Sequence, residues 1–506
     1  MESSSFQKIG KPRSTSKDLL KALSLNIISN FLLYVGHLII ARRLPRADYA
    51  TFTVVISFVS LAALFADIGS TSHFVRKFAE AETLALEGKA DERGKLLGSI
   101  LGLRIGLAVL VSVAVMLLIP LLGYAPTTQH LILIVLTILF ISSRLPIVRS
   151  VGEAFLRGHR KYHVVALFAA IDGLVFAGIL FFYSGKILDL ESAIWIYSFC
   201  HIPGFLLLIG FIYRHAKSAG FHLSFSFASI RSILHEGLPL IYSTIFITIY
   251  NYADPLLLDK LSTPQQVSAF GAGLRVLSAM IFFPLVFSSI IGPLVTQAVI
   301  KGEFTRIRSI IDRALRLLLL FSVLVALSIS SAPTVMIHLL FGSDKYLDAA
   351  PIVMVFSWMF IPMCFGTFMT EVAIAEGKHW LSAVYMGALM IFAVSFNFLL
   401  IPMYGGLGSA IAKLLAVILG ASILLSLSKV LDVLDRGLFI RFVVKIIIAV
   451  LLTCLLRYFL IRLNINEVII AATVCSSFLI LSFLSRALSL SEISSVVTSI
   501  VNRKGG

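Results

Sequence analysis

Long apolar runs, broken by short polar turns, make up most of this chain. A helix needs about 20 apolar residues to cross the ~30 Å hydrocarbon core of a bilayer. By that rule the chain predicts fourteen spans, at 22–41, 50–68, 97–122, 129–147, 163–183, 192–213, 238–259, 267–292, 314–336, 349–370, 380–401, 406–427, 440–460 and 466–484. The connections are short. The longest, near 69–96, mixes Glu80, Glu82, Glu87, Asp91 and Glu92 with basic residues and predicts an amphipathic surface helix. The predicted division is a cytoplasmic tail at 1–21, a six-helix lobe at 22–215, a cytoplasmic linker at 216–237 and a second six-helix lobe at 238–428. Two further spans at 429–486 and a cytoplasmic tail at 487–506 complete it.

Composition supports this reading. Of 506 residues, 58% are hydrophobic and 13% charged, against roughly 25% charged in a soluble domain. A soluble globular protein, a disordered chain and a disulfide scaffold are excluded. The chain is an all-α polytopic membrane protein, because a bilayer leaves no water for unpaired backbone groups. Cys200, Cys364, Cys454 and Cys475 lie in apolar runs without metal-ligand or redox spacing.

The net charge is +16, from 42 Lys and Arg against 26 Asp and Glu. Basic residues hold cytoplasmic loops in place, so the surplus is no sign of nucleic acid. With fourteen spans and a cytoplasmic N-terminus, eight of the 42 basic residues fall outside: Arg42, Arg43, Arg46, Lys186, Lys260, Lys345, Arg457 and Arg462. That asymmetry supports an even span count and two cytoplasmic termini. The cluster Arg42, Arg43 and Arg46 breaks the pattern.

An internal repeat is visible. LIIARRLPRADYATF at 38–52 parallels LLLDKLSTPQQVSAF at 256–270. When Phe52 is set against Phe270, Pro45 falls one place out of step with Pro264, so a slip is required. The expectation is two six-span repeats of like orientation. On the third span Gly98, Gly102 and Gly106 form two overlapping GxxxG steps, a spacing that lets backbones approach closely.

Ionisable residues at membrane depth are the candidates for function, since each costs at least ~2.5–3.5 kcal/mol at a helix centre. Arg275, Lys413 and Arg104 are the basic set. A guanidinium fork matches phosphate oxygens and an ammonium adds a point charge, so together they suit a diphosphate. An internal ion pair is the other reading. Asp254 and Asp172 are candidates for carrying a coupling ion, proton or Na⁺, and Asp254 has Arg275 on the next helix as a possible partner. Asp67 and Glu371 lie close to cytoplasmic ends, where capping is the favoured reading. Asn26, Asn30 and His37 share one helical face, as do Thr244, Thr248 and Asn251; they are candidate cavity-lining residues or interhelical hydrogen-bonding groups. No GxSxG, HExxH or P-loop is present, no metal site is expected and no cofactor is called for.

The loop Leu44-Pro45-Arg46-Ala47-Asp48-Tyr49 and the stretch Ala66-Asp67-Ile68-Gly69 resemble the first two spans of Wzx-type polysaccharide flippases. These belong to the multidrug/oligosaccharidyl-lipid/polysaccharide exporter superfamily. Asp254-Pro255-Leu256-Leu257-Leu258 and Leu400-Ile401-Pro402-Met403-Tyr404-Gly405-Gly406-Leu407-Gly408-Ser409-Ala410 are similar to further family stretches. The resemblance covers about 20–430. It implies two six-helix lobes around a central cavity, working by alternating access. It also implies an undecaprenyl-diphosphate-linked oligosaccharide as cargo, moved to the outer leaflet of a bacterial inner membrane. A polysaccharide polymerase and chain-length machinery are the partners it suggests. Basic cavity residues receive the diphosphate in related flippases, and Arg275 best matches that role by position. The alternatives are a multidrug or organic-cation antiporter of the same superfamily, an integral membrane enzyme, and a scaffold that transports nothing.

Overall fold

The computed structural model describes residues 15–67, 93–142, 147–159, 161–183, 188–219, 223–428 and 436–485, with Phe74, Lys77, Phe78, Glu80 and Ala81. The surface helix expected near 69–96 otherwise lies outside the described residues up to Arg93. All regular structure among the described residues is helical. The order is α1 (Thr15–Arg43), α2 (Arg46–Asp67), α3 (Arg93–Leu118), α4 (Pro126–Val135), α5 (Val148–Gly158), α6 (Tyr162–Phe182), α7 (Leu190–Phe199) and α8 (Ile202–Ala219). There follow α9 (Phe227–Leu261), α10 (Pro264–Ile300), α11 (Phe304–Ser331), α12 (Pro333–Phe341), α13 (Ala350–Ala375), α14 (His379–Ser428), α15 (Arg436–Arg462) and α16 (Glu467–Leu484).

Helix starts are placed by residues that settle the free backbone N–H groups of a first turn. Pro126, Pro264 and Pro333 stand in the first turns of α4, α10 and α12, where no N–H is needed. Asp189 accepts from the Ser192 N–H at 3.1 Å to start α7, and Asn466 from the Val468 N–H at 2.8 Å to start α16.

Ten segments among the described residues are long and apolar enough to cross a bilayer. Fourteen spans are compatible with them. Helix α14 alone runs 50 residues, about 75 Å at 1.5 Å per residue, more than two bilayer cores. Pro126–Ile141, α9 and α10 stand where three further spans are expected. Apolar side chains such as Leu117, Phe182 and Leu451 are widely exposed, as a lipid solvent allows.

Gly405 breaks α14 where the eleventh and twelfth spans meet. Its φ of 55° and ψ of −129° suit glycine and no other residue. The Gln266 side chain bridges the break, its Oε1 accepting from the Gly406 N–H at 2.9 Å.

The chain divides into two compact units, Met1–Thr248 and Ile249–Gly506. In the first, α1 lies along α6 through close contacts. Ser29 Oγ donates to the Ala169 carbonyl at 2.8 Å, and a Cβ on Gly36 would collide with the Phe176 ring. Phe74, Phe78, Ile100, Phe155, Leu156 and Leu208 form a second packed layer. The GxxxG steps of α3 are only partly used: Gly98 and Gly102 lie against Ser224 and Phe225, and a Cβ on Gly106 would meet nothing. In the second unit, α15 and α16 dock on α11. Leu320, Val323 and Leu327 interleave with Phe442, Ile446 and Ala449 and with Ile470, Val474 and Phe478, each set at helical spacing.

The repeat has a definite register. The Leu44 N–H donates to Ile40 and Tyr49 to Pro45, at 3.0 and 2.9 Å; Ser262 donates to Leu258 and Val267 to Thr263, at 2.9 and 3.0 Å. Every member of the second set keeps the offset from its counterpart that also pairs Phe52 with Phe270. The two prolines stay one place out of step, and the register needs no gap. Pro45 precedes the first turn of α2, and Pro264 stands inside the first turn of α10.

Candidate functional site

Three buried charge centres occupy the interiors of the two units. A buried charge persists only when paired and hydrogen-bonded, and each centre meets that condition.

The first centre lies in the second unit. Lys413, on α14 beyond the Gly405 break, places Nζ 2.7 Å from Asp254 Oδ2. The same ammonium donates to the Tyr250 carbonyl at 2.6 Å and sits 3.7 Å from the centroid of the Tyr250 ring. Asn397, before the break, donates to Asp254 Oδ1 at 2.6 Å. Both side chains of the pair are at most 3% exposed. The partner of Asp254 is thus Lys413, on α14, where the sequence offered Arg275 on α10.

The second centre lies in the first unit. Arg104 meets Asp67, the last residue of α2, at 2.9 Å, with both side chains buried. Its Nη1 also donates to the Ile147 carbonyl at 2.8 Å and to Ser150 Oγ. Asp67 therefore anchors α3 to the end of α2.

The third centre contains Asp172, a candidate from the sequence, and a partner the sequence did not mark. Arg149 looks like one of many loop bases, yet its side chain is fully buried. It pairs with Asp172 at 2.6 Å and Glu153 at 3.2 Å and donates to the carbonyls of Ile141 and His201 at 3.3 and 3.2 Å. Asp172 Oδ1 accepts from the Gly204 N–H at 3.1 Å, and Oδ2 lies 3.5 Å from His201 Nδ1. Arg157 closes the other side of Glu153 at 3.2 Å. This guanidinium joins four helical segments and satisfies a carbonyl at the break between α7 and α8. The signal available in the sequence was the Arg149, Glu153, Arg157 spacing, which puts opposite charges one turn apart.

The remaining candidates are dispersed. Arg275 is half-buried on α10. His37 is buried in an aromatic cage, with ring centroids 5.5 Å from Tyr197, 5.6 Å from Phe176 and 6.2 Å from Phe52. Asn26 and Asn30, on the same helical face, are exposed. Asn251 is exposed too, and Thr248 Oγ1 donates back to the Thr244 carbonyl at 2.7 Å. Among the described residues no group of three or more His, Cys, Asp or Glu side chains stands ready to hold a metal ion.

Two of the arginines expected outside also have a place. Arg43 Nη1 donates to the Tyr183 carbonyl at 3.1 Å, at the C-terminal end of α6. Arg457 Nη2 donates to the Ser330 carbonyl at 2.8 Å, at the end of α11. Each satisfies a helix-end carbonyl that lacks an intrahelical partner.

Residues 17–300 match the family described as polysaccharide biosynthesis protein. The chain belongs to that family. Residues 239–399 also match the MatE family, and the two matches together place the chain among the transporters and flippases of the exporter superfamily expected from its loop motifs. The fold is similar to that of a lipid II flippase, MurJ, in an inward closed conformation. The TM-score is 0.72 at 15% identity, over 92% of this chain and 99% of that one. It is also similar to an inward-facing multidrug resistance MATE family transporter, with a TM-score of 0.61 at 14% identity over 81% of this chain and 97% of that one. A Vibrio cholerae MATE transporter gives 0.54 at 17% identity over 82% and 98%. No curated protein sequence matches the chain. The all-α polytopic fold expected from the sequence is borne out, and the family is one of transporters.

Proposed function

We propose that this family member is a flippase for an undecaprenyl-diphosphate-linked oligosaccharide, the repeat unit of an O-antigen, capsule or exopolysaccharide. It works by alternating access in a bacterial inner membrane, with both termini cytoplasmic. Arg275 receives the diphosphate, Lys413 and Arg104 stay in their ion pairs with Asp254 and Asp67, and an ion gradient acts through Asp254 or Asp172. It catalyses no reaction and passes its cargo to a polysaccharide polymerase and chain-length machinery.

The observation that carries this reading is the extent of the two fold likenesses. The likeness to the lipid flippase extends over 92% of the chain, and that to the multidrug transporter over 81%. The match of residues 17–300 to the polysaccharide biosynthesis family points the same way. A guanidinium at Arg275 agrees with an anionic headgroup.

The test is lipid analysis after depletion. Undecaprenyl-diphosphate-linked oligosaccharide should accumulate on the cytoplasmic side, out of reach of an impermeant glycosidase. Wild-type protein should clear it, and Arg275→Ala, produced at wild-type level, should not. An unchanged lipid pool with intact surface polysaccharide would overturn the reading in favour of drug or organic-cation antiport. Normal flipping by Arg275→Ala would remove that residue from the headgroup site.

A further inference from the structure

We propose that the Lys413 ammonium is a tethered cation: it fills and closes a monovalent-cation site made by Asp254, the Tyr250 carbonyl and Asn397. The second unit consequently binds no alkali ion at Asp254. The inference narrows the coupling step proposed above but is independent of the cargo, so its binding test reads the same whatever the chain moves.

The chemistry of the surroundings points this way. A carboxylate oxygen and a backbone carbonyl from α9 converge on one point, and the Asn397 amide, from the first half of α14, holds the other carboxylate oxygen. Hard oxygen donors of this kind are what a small hard cation takes. Lys413 Nζ stands among them, 2.7 Å from Asp254 Oδ2 and 2.6 Å from the Tyr250 carbonyl. The face of the Tyr250 ring completes its shell at 3.7 Å from the centroid, a position that attracts any cation. Asn397 turns its Nδ2 to Asp254 Oδ1, and its buried Oδ1 has no hydrogen-bond partner among the described residues. An amide so placed has an acceptor in reserve.

Charge balance gives the exclusion. Asp254 and Lys413 sum to zero, and the centre is buried. A second cation would leave a net positive charge in a buried centre with no counter-anion, which burial penalises heavily. The first unit does not repeat the carboxylate at the matching position. In the repeat register, set by Phe52 and Phe270, the first-unit counterpart of Asp254 is Gly36. Its face is covered by the Phe176 ring, so no carboxylate stands there.

The test uses the full chain purified in detergent, with ²²Na⁺ retention and thermal unfolding read in NaCl against choline chloride at equal ionic strength. Wild type should retain no saturable ²²Na⁺ and should melt at the same temperature in both salts. Lys413→Thr, which removes the ammonium and leaves a hydroxyl, should gain saturable ²²Na⁺ binding and a Na⁺-specific rise in melting temperature. The pair Asp254→Asn with Lys413→Thr should lose both. Saturable Na⁺ binding by wild type that Asp254→Asn abolishes would overturn the proposal. So would a folded Lys413→Thr protein that gains none, since Lys413 would then be an ordinary structural ion pair. If Lys413→Thr gives no folded protein, Lys413→Ser prepared in high Na⁺ takes its place, with the same two outcomes.

Discussion

Gly36 occupies in the first half of the chain the register position that Asp254 occupies in the second. At the first position the α1 backbone is pressed against the Phe176 ring. At the second a carboxylate holds an ammonium and an amide. One repeated framework therefore carries an aromatic cage in one copy and a charge centre in the other.

Gly36→Ala should destabilise the first unit by about 1–3 kcal/mol, the usual cost of overpacking. The Phe176 ring has little room to retreat, because His37 and Tyr197 pack at 5.6 and 6.0 Å from it. Thermal unfolding in detergent checks this. Phe176→Leu in the same chain should recover part of the loss, and full stability of the single variant would refute the close approach.

Lys413→Met, measured without added Na⁺, should cost about 3–5 kcal/mol, because it strands the Asp254 charge. Asp254→Asn combined with Lys413→Met should cost clearly less than the two single changes summed. A double-mutant cycle on melting curves reads the coupling. Strict additivity would mean the pair contributes nothing.

Arg149→Ala should destabilise the first unit by about 3–5 kcal/mol, since Asp172 and Glu153 lose a shared buried counter-charge. Arg149→Lys should recover little of this. An ammonium cannot reproduce a planar fork that reaches two carboxylates and the carbonyls of Ile141 and His201. Equal stability of Lys and Arg at this position would show that only the charge matters.

Gly405→Ala should cost about 1–3 kcal/mol from backbone strain, and its Cβ would also stand 2.8 Å from Gln266 Oε1. Gln266→Ala should cost less, about 0.5–1.5 kcal/mol, the net worth of one hydrogen bond. Ranking the two by thermal unfolding tests whether the break in α14 is held by its own backbone geometry or by the side chain from α10.

The fold was largely readable from the apolar runs, because a bilayer leaves the backbone no option but the helix. The break at Gly405 fell in the gap between two runs, and the repeat showed in the turns at Pro45 and Pro264. The register of that repeat was obscured because the two prolines play different parts in their turns. The charge centres were half readable. Depth marked Asp254, Lys413, Arg104 and Asp172, but depth does not say which faces meet. Arg275 is nearer to Asp254 in sequence, and the meeting of Asp254 with Lys413 depends on α14 turning back at Gly405. Arg149 was hidden because a loop base and a buried base look alike until packing separates them. Asn26, Asn30 and His37 share a helical face, but Phe52, Phe176 and Tyr197 cover only His37.

Arg43 and Arg457 carry a lesson for how such a chain is oriented as it enters the membrane. Loose on the side where the sequence predicts them, each would pull against the cytoplasmic preference of basic residues. Fastened to the carbonyls of Tyr183 and Ser330, each neutralises the negative end of a neighbouring helix. A topology signal has become a joint between helices. Removing either arginine should therefore leave the orientation of the chain unchanged and loosen the joint between the two helices it ties.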